Sequence, residues 1–183
     1  MPAPTQTRTP RWLDADQQRS WRQLLRGSAR LFDDINRDLE EESGLSLSEY
    51  EVLVRLSEAE GRTLRMSVLA SELVHSRSRL THTVRRMESA GLVERSSCAD
   101  DRRGVNCTLT DAGFDRLAAT APGHVDSVRA RLVDRLTPEQ LHQLGEIMAV
   151  LGGDDDAGDD DAAAAGESGV RAGGGARAVT PLR

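Results

Sequence analysis

The sequence predicts a mainly α-helical protein that carries one small β-hairpin. Apolar residues recur with helical spacing over most of residues 14–151, and two short segments with strand character, 92–96 and 105–109, interrupt that pattern. The polar segment 97–104 between them ends in glycine, as hairpin loops often do. Only 3% of the residues are aromatic, so the core must consist mainly of leucine, valine, alanine and methionine.

The first predicted helix runs from Asp14 to about Glu42. Its apolar residues recur at i, i+3, i+4 and i+7 and therefore share one face of the helix. Asp14 and Asp16 give it an acidic start, and Gly44 follows as a stop signal.

A second helix begins with a capping box. Ser46 can cap the amide three residues later, and Glu49 can reach back to the Ser46 amide. The helix should continue to about Ala59, and Gly61 should end it. The next three residues, 63–65, fit either an edge strand or a loop.

Two short helices joined by a tight turn follow. The first covers 66–74 with Val68 facing inward, and the second covers 77–90 with Ser76 as its N-cap. Gly91 stops the second helix. This pattern is typical of a helix-turn-helix.

The segment after the hairpin predicts two further helices. Thr110 caps the first, which should reach Arg135 with a kink or short break at Pro122 and Gly123. The second begins after Thr137, with proline at its first position and glutamine at its third, and ends at 152–153.

The charge is unevenly distributed along the chain. The net charge is −6, but the acidic segment 152–183 contributes −4 of it. Residues 76–103 contain seven arginines against four acids, a local balance of +3. All 24 basic residues are arginine. Such a local basic patch is the electrostatic signature of a nucleic-acid contact.

Three segments of this sequence resemble the MarR family of winged helix-turn-helix regulators. They are 64–81, 86–95 and, most specifically, 101–113. The last follows the family's wing pattern D-x-R-x-x-x-V-x-L-T followed by x-x-G, with Cys107 in place of the usual valine. The resemblance covers about residues 12–151.

The resemblance implies a homodimeric transcriptional regulator in which a helical dimerisation region accompanies each winged helix-turn-helix. Such proteins typically repress transcription, and many release DNA when a phenolic or anionic small molecule binds. We therefore expect a ligand-responsive repressor on a pseudopalindromic operator of double-stranded DNA. The implied domains are a flexible N-terminus (1–11), an N-terminal dimerisation helix (12–44), the winged helix-turn-helix (45–109), C-terminal dimerisation helices (110–151) and a disordered acidic tail (152–183).

The recognition helix should carry the base contacts in its first turns. Arg77 or Arg79 could bind a guanine edge with two hydrogen bonds, which arginine does in the major groove. Arg86, at the end of the helix, has two readings: a DNA contact or an internal packing residue. The expected DNA-binding residues of this helix are Ser76, Arg77, Ser78, Arg79, Thr81, His82 and Arg85.

The wing tip contributes Asp101, Arg102 and Arg103. By resemblance, Asp101 pairs with Arg103 and holds it for the minor groove, whose negative potential attracts arginine where the groove is narrow. The alternative is a solvated turn, because charged hairpin tips are common.

The first helix and the last two helices carry more apolar surface than one winged domain needs. We expect some of these residues to form a dimer core, although others must pack within one subunit. The binding residues of an effector are unknown from sequence; Trp12, Trp21, Phe32 and Tyr50 are the available aromatics, and Arg65 or Arg86 could hold an anion. The candidate dimer-core residues are Leu31, Phe32, Ile35, Leu132, Leu136, Leu144 and Ile147.

No motif indicates an enzyme. There is no phosphate-binding glycine loop, nucleophile elbow or metal-ligand run. The histidines, His75, His82, His124 and His142, lack the spacing of zinc ligands, so we expect no metal and no cofactor.

Two alternatives to a ligand-responsive DNA binder remain open. Cys98 and Cys107 lie on opposite sides of the hairpin, which permits a redox-responsive regulator. A winged helix can also serve as a protein-interaction module without DNA specificity, although the arginine-rich segment argues against it.

Membrane and export signals are missing from the sequence given. No apolar run approaches the roughly 20 residues that cross a bilayer. Residues 1–10 lack the apolar stretch of a secretory signal. We therefore expect a cytoplasmic protein without a membrane partner.

Overall fold

The computed structural model describes residues 10–73, 77–97 and 104–153. The prediction of a mainly helical fold with a small sheet is confirmed. Short 3-10 turns precede β1, at Glu60–Arg62, and follow α5, at Val133–Arg135. The helices and strands are α1 (Ala15–Ser43), α2 (Leu47–Glu58), β1 (Thr63–Arg65), α3 (Met66–Glu72), α4 (Arg77–Ser89), β2 (Val93–Ser97), β3 (Val105–Leu109), α5 (Asp111–Arg131) and α6 (Pro138–Gly152).

Local cap chemistry sets several helix ends where the sequence predicts them. At the start of α2, the Ser46 amide donates to Glu49 Oε2 at 2.9 Å, and the Ser46 hydroxyl accepts from the Glu49 amide at 3.4 Å. Thr137 and Gln140 form the equivalent box at the start of α6. Gly44 ends α1 with φ 68°, the left-handed conformation that glycine adopts without steric cost.

The sheet has three antiparallel strands in the order β1-β3-β2. The segment 63–65, for which strand and loop were both open, is therefore the edge strand β1. Thr63 faces Thr108 across β1 and β3, and their hydroxyl oxygens are 2.9 Å apart. Cys107, in the central strand, lies opposite Leu64 on one side and Arg95 on the other.

The core packs the inner faces of α2, α3 and α4 against the sheet, with α1 and α5 closing it. Leu80, Val84 and Met87, at helical spacing along α4, have no exposed surface. Burying one face of α4 so completely turns its opposite face to solvent, which is the requirement for a recognition helix. The other fully buried large side chains are Leu39, Val52, Leu53, Leu56, Leu69, Val93 and Cys107.

A network of hydrogen bonds joins α1 to α5. Arg131 donates to both carboxylate oxygens of Asp38 at 2.7 Å each, and the Ser127 hydroxyl donates to the same carboxylate at 2.6 Å. These bonds, first those from Arg131 and then that from Ser127, lower the pKa of Asp38 from 3.8 to about 2. The network therefore anchors the far end of α5 on α1.

Of the kink or short break expected at Pro122 and Gly123, the break is not found, because α5 runs unbroken from Asp111 to Arg131. Proline removes the hydrogen bond to the carbonyl of Ala118 and crowds it, but Ala118 is exposed, so water can satisfy that carbonyl. Packing of α5 along α1 keeps the helix continuous.

Two smaller expectations also differ from the structure. The helix does not reach Arg135, since α5 ends at Arg131 and a 3-10 turn follows. Val68 does not face inward and is 39% exposed. Helix α3 has only seven residues, and Leu69 and Ala70 alone are its buried side chains.

None of the helices in the described ranges is both long and apolar enough to cross a membrane.

Candidate nucleic-acid interface

The outer face of α4 presents polar and basic side chains to solvent. Arg77 is the first residue of the helix. Ser78, Arg79, His82 and Arg85 are exposed, whereas Thr81 is half-buried. Six of the seven predicted contacts thus lie on one helix. Ser76 lies outside the described residues.

Helix α4 is held on one side by the N-terminal turn of α2. Arg79 Nη2 donates to the Ser48 hydroxyl at 3.3 Å. Both residues belong to first turns, so this bond sets the start of α4 beside the start of α2. The position of the predicted base-contacting turn therefore depends on α2.

Arg86 makes the internal contact that one of its two readings anticipates. Its Nε donates to Glu49 Oε1 at 2.6 Å, and its Nη2 donates to the Ser46 hydroxyl at 3.2 Å. Burial of Glu49 opposes its ionisation, but hydrogen bonds from Arg86 and Ser46 outweigh burial and hold the pKa of this carboxyl below its usual value. Arg86 thereby joins α4 to the capping box of α2.

The described part of the hairpin ends where Ser97 pairs with Val105. Asp101, Arg102 and Arg103 lie outside the described residues, as does Cys98. Cys107 is fully buried, and burial raises the pKa of its thiol to about 11. Because the thiolate is the reactive form, this environment opposes a redox role for Cys107.

A second feature is an open cleft of about 1700 Å³ between α1, α2, α5 and α6. All seven candidate dimer-core residues line it. Phe32 and Ile147 are 56% and 55% exposed in the single chain. Ile35, by contrast, is 5% exposed and packs within the core of this chain.

The cleft wall also contains a tyrosine–histidine contact. The ring centroids of Tyr50 and His124 are 4.3 Å apart. His124 Nδ1 is buried and has no hydrogen-bond partner among the described residues. Burial lowers the pKa of His124 and so favours its neutral form. The wall therefore holds an unsatisfied polar atom beside an aromatic ring.

Sequence reasoning considered His124 only as a metal ligand. Its spacing from Leu117 and Val128 on one helical face is the signal that could have placed it inward. Of the aromatics considered for an effector, Phe32 and Tyr50 line the cleft. Trp12 and Trp21 do not line it, nor do Arg65 and Arg86.

Among residues 10–73, 77–97 and 104–153, no three histidine, cysteine or acidic side chains are grouped as metal ligands would be.

The family of this chain follows from its similarity to known proteins. The family model for the MarR family matches residues 43–104. The crystal structure of Sco3205, a MarR family transcriptional regulator from Streptomyces coelicolor in complex with DNA, has a TM-score of 0.76 to this chain. Its sequence is 44% identical, over 81% of this chain and 92% of Sco3205. The chain belongs to the MarR family of transcriptional regulators.

Two HTH-type transcriptional regulators are also similar to this chain. The HTH-type transcriptional repressor Rv2887 from Mycobacterium tuberculosis is 32% identical over 111 residues, which is 61% of this chain and 78% of Rv2887. The HTH-type transcriptional regulator PecS from Dickeya dadantii is 31% identical over 109 residues. That match spans 59% of this chain and 63% of PecS, less than two thirds of its length. As a MarR-family regulator, the chain is not an enzyme.

Proposed function

We propose that this MarR-family chain is a homodimeric repressor that binds a pseudopalindromic operator in double-stranded DNA and releases it when a small molecule binds. The observation that carries the proposal is the two-faced helix α4. Leu80, Val84 and Met87 bury its inner face, while its outer face presents Arg79, Arg85 and neighbouring polar side chains. The DNA complex of Sco3205, 44% identical to this chain, supports it.

In this proposal the first turns of α4 read bases and the later turns bind the backbone. Arg77 or Arg79 binds a guanine edge, because the guanidinium fork matches the O6 and N7 acceptors. Ser76 and Ser78 donate to phosphates, Thr81 and His82 lie against the groove, and Arg85 pairs with a phosphate. The wing adds Arg103 in the minor groove, with Asp101 positioning it and Arg102 beside it.

The dimer follows from the geometry of a two-fold operator. Two recognition helices must stand about 34–36 Å apart to enter successive major grooves, and one subunit provides a single such helix. The exposed Phe32 and Ile147 give the cleft an apolar face that a second copy would cover. Under this proposal residues 12–44 and 110–151 form the dimer, and 45–109 bind DNA in the cytoplasm.

The effector would bind where the cleft meets the winged domain. Tyr50 and His124 supply an aromatic surface and an unsatisfied hydrogen-bonding atom there, and a buried polar atom without a partner is costly. A phenolic ligand offers a flat apolar ring to the first and a hydroxyl group to the second. Its binding would alter the packing between α1, α2 and α5.

Fluorescence anisotropy with DNA from upstream of the chain's own gene tests the proposal, against scrambled DNA and across a salt series. We expect tight, salt-sensitive binding that prefers the native fragment and saturates at two subunits per site. Arg79→Ala should lower that preference by roughly tenfold, within the 1–3 kcal/mol typical of a bidentate base contact. Arg129→Ala is the matched control, because Arg129, on α5, pairs with Asp134 in the 3-10 turn that follows.

Contrary results have distinct meanings. If Arg77, Arg79, Arg102 and Arg103 are all replaced and DNA binding is unchanged, the chain is a protein-interaction module. If the wild type binds both DNAs weakly and equally, it has no operator in that fragment. If phenolic compounds leave the anisotropy of the bound complex unchanged, the proposed effector class is wrong.

A further inference from the structure

We propose that Glu88 and Arg95 are a positioning pair for DNA recognition, which fixes the wing strands against the recognition helix. Glu88 lies in the last turn of α4 and Arg95 in the middle of β2. Neither residue is a DNA contact in this proposal. The inference rests on the proposed function, since it concerns how two DNA-binding elements keep their relative position.

The contact is unusually complete for one pair of side chains. Arg95 donates from its backbone amide to Glu88 Oε1 at 3.2 Å. Its Nε and Nη2 both donate to Glu88 Oε2, at 2.9 and 2.6 Å. The carboxylate therefore holds the strand backbone as well as the side chain. An ordinary surface ion pair holds side chains alone.

The pair lies at the junction of two rigid units. Leu92 N donates to Met87 O at 3.0 Å where Gly91 turns the chain, with φ 72°, out of α4. Arg95 stands opposite the buried Cys107 in the sheet. The backbone turn fixes one point of the junction, and the Glu88–Arg95 contact fixes a second. Both add polar contacts to the apolar packing that holds α4 against the sheet.

The electrostatics support a pair that is charged at neutral pH. Hydrogen bonds from Arg95 hold the pKa of Glu88 below its usual value. The side chains are 30% (Arg95) and 34% (Glu88) exposed, so solvent screens the pair and its contribution to global stability is small. Because three donors of Arg95 converge on the Glu88 carboxylate, the pair restricts the orientation of β2 relative to α4.

The restriction matters because helix and wing are proposed to bind DNA together. When two contacts belong to one rigid body, the second forms at a high effective concentration once the first has formed. A loosened wing would lower that concentration. On the other side of α4, the Arg86–Glu49 contact already ties the helix to α2. The Glu88–Arg95 pair completes the arrangement on the side of the wing.

The variant Glu88→Gln separates this proposal from a simple charge effect, because the two predict opposite signs. Removing a negative charge beside DNA should tighten binding if Glu88 acts only through its charge. A positioning role predicts weaker binding, by about tenfold, since charge-assisted bonds to the strand are lost. The measurement is anisotropy on a duplex that the wild-type protein selects from a random-sequence pool.

Further variants keep the result clear. Arg95→Gln should weaken binding in the same direction as Glu88→Gln. The exchange of Glu88→Arg with Arg95→Glu should recover part of the lost affinity, because the side chains can pair again but arginine at 88 cannot accept from the backbone amide of residue 95. Arg129→Gln, which breaks the exposed contact with Asp134, should bind like the wild type. Thermal melting of each variant checks that the fold is retained, and the two reciprocal variants serve if one fails to fold.

Several outcomes would overturn the proposal. Tighter or unchanged binding of Glu88→Gln contradicts a positioning role. If Arg95→Gln alone weakens binding, the exchange gives no recovery and the salt slope falls by about one, then Arg95 itself contacts a phosphate. If the wild type selects no duplex, the proposed function fails and this inference with it. If the wild type selects a duplex and Glu88→Gln binds it as well as the wild type does, only the positioning role fails.

Discussion

At the scale of single residues, Gly113 shows how the first turn of α5 depends on the absence of a side chain. A Cβ at this position would collide with the backbone carbonyl of Leu92 and lie 2.7 Å from Leu109 Cδ1. Thr110 completes the turn, because its hydroxyl accepts from the Gly113 amide at 3.0 Å and donates to Gly91 O at 2.7 Å. The requirement for glycine at position 113 of the wing pattern is therefore steric.

Gly113→Ala should destabilise the fold by about 1–3 kcal/mol, the usual cost of overpacking, because backbone atoms must move. Gly145→Ala is the matched control. Apart from the nearby backbone of α6 itself, nothing lies within 4 Å of its Cβ position, and alanine is more stable than glycine in a helix interior by about 1 kcal/mol. Urea unfolding measures both. Equal midpoints for the two variants would contradict the steric argument.

The hydrogen-bond network of Asp38 predicts how the stability of the fold depends on pH in the acid range. Because the folded pKa of about 2 lies below the ordinary value of 3.8, the network contributes stability above about pH 4 and loses it as the pH falls toward 2. Asp38→Asn should therefore lower the urea midpoint at pH 7 and converge with the wild type near pH 2.

Asp134→Asn is the control for that experiment. It removes a carboxylate whose ion pair with Arg129 is more than half exposed on both sides, and such pairs contribute little. Its midpoint should follow the wild type throughout. A constant difference between Asp38→Asn and wild type from pH 7 to pH 2 would contradict the network's role.

At the scale of elements, α5 contains a proline in its interior, and replacing that proline should stabilise the fold. Pro122→Ala restores an amide donor to the helix and should raise stability by up to about 3 kcal/mol. Pro138 is the control, because it stands at the first position of α6, where proline is favourable. Thermal denaturation of both alanine variants tests this; a Pro122→Ala protein less stable than Pro138→Ala would contradict it.

Helix ends that are set by residues adjacent in the chain can be predicted from the sequence. The capping boxes of Ser46 with Glu49 and Thr137 with Gln140 each span four consecutive residues, so they can be identified without a structure. The continuity of α5 through Pro122 could not be, because it depends on packing against α1. The strand character of 63–65 also depends on β3, which is over forty residues away.

The same distinction applies to the candidate site. The solvent-exposed face of α4 can be predicted from the spacing of Leu80, Val84 and Met87, because the face opposite a buried one is exposed. The role of Arg86 does not, since its partner Glu49 is 37 residues away. His124 was missed for a related reason: its environment comes from Tyr50 on another helix. Long-range pairing is the information that periodicity lacks.

At the scale of the whole molecule, the cleft surface predicts the assembly. Ile147→Asp places a charge on an exposed apolar position that lines the cleft, and should convert a dimer into monomers because burying an unpaired charge is costly. Ala118→Asp, on the exposed side of α5 and outside the cleft, is the control. Sedimentation velocity distinguishes them; a dimeric Ile147→Asp protein would place the interface elsewhere.

Both tryptophans of the chain lie at one end of the molecule. Trp12 precedes the N-cap of α1 and is 83% exposed, and Trp21 is 51% exposed within α1. Neither belongs to the winged region. Tryptophan emission is therefore an optical signal for contacts of α1 and the residues just before it. A shift toward blue on concentration reports association of subunits, and DNA binding that leaves the assembly unchanged leaves the tryptophan spectrum unchanged.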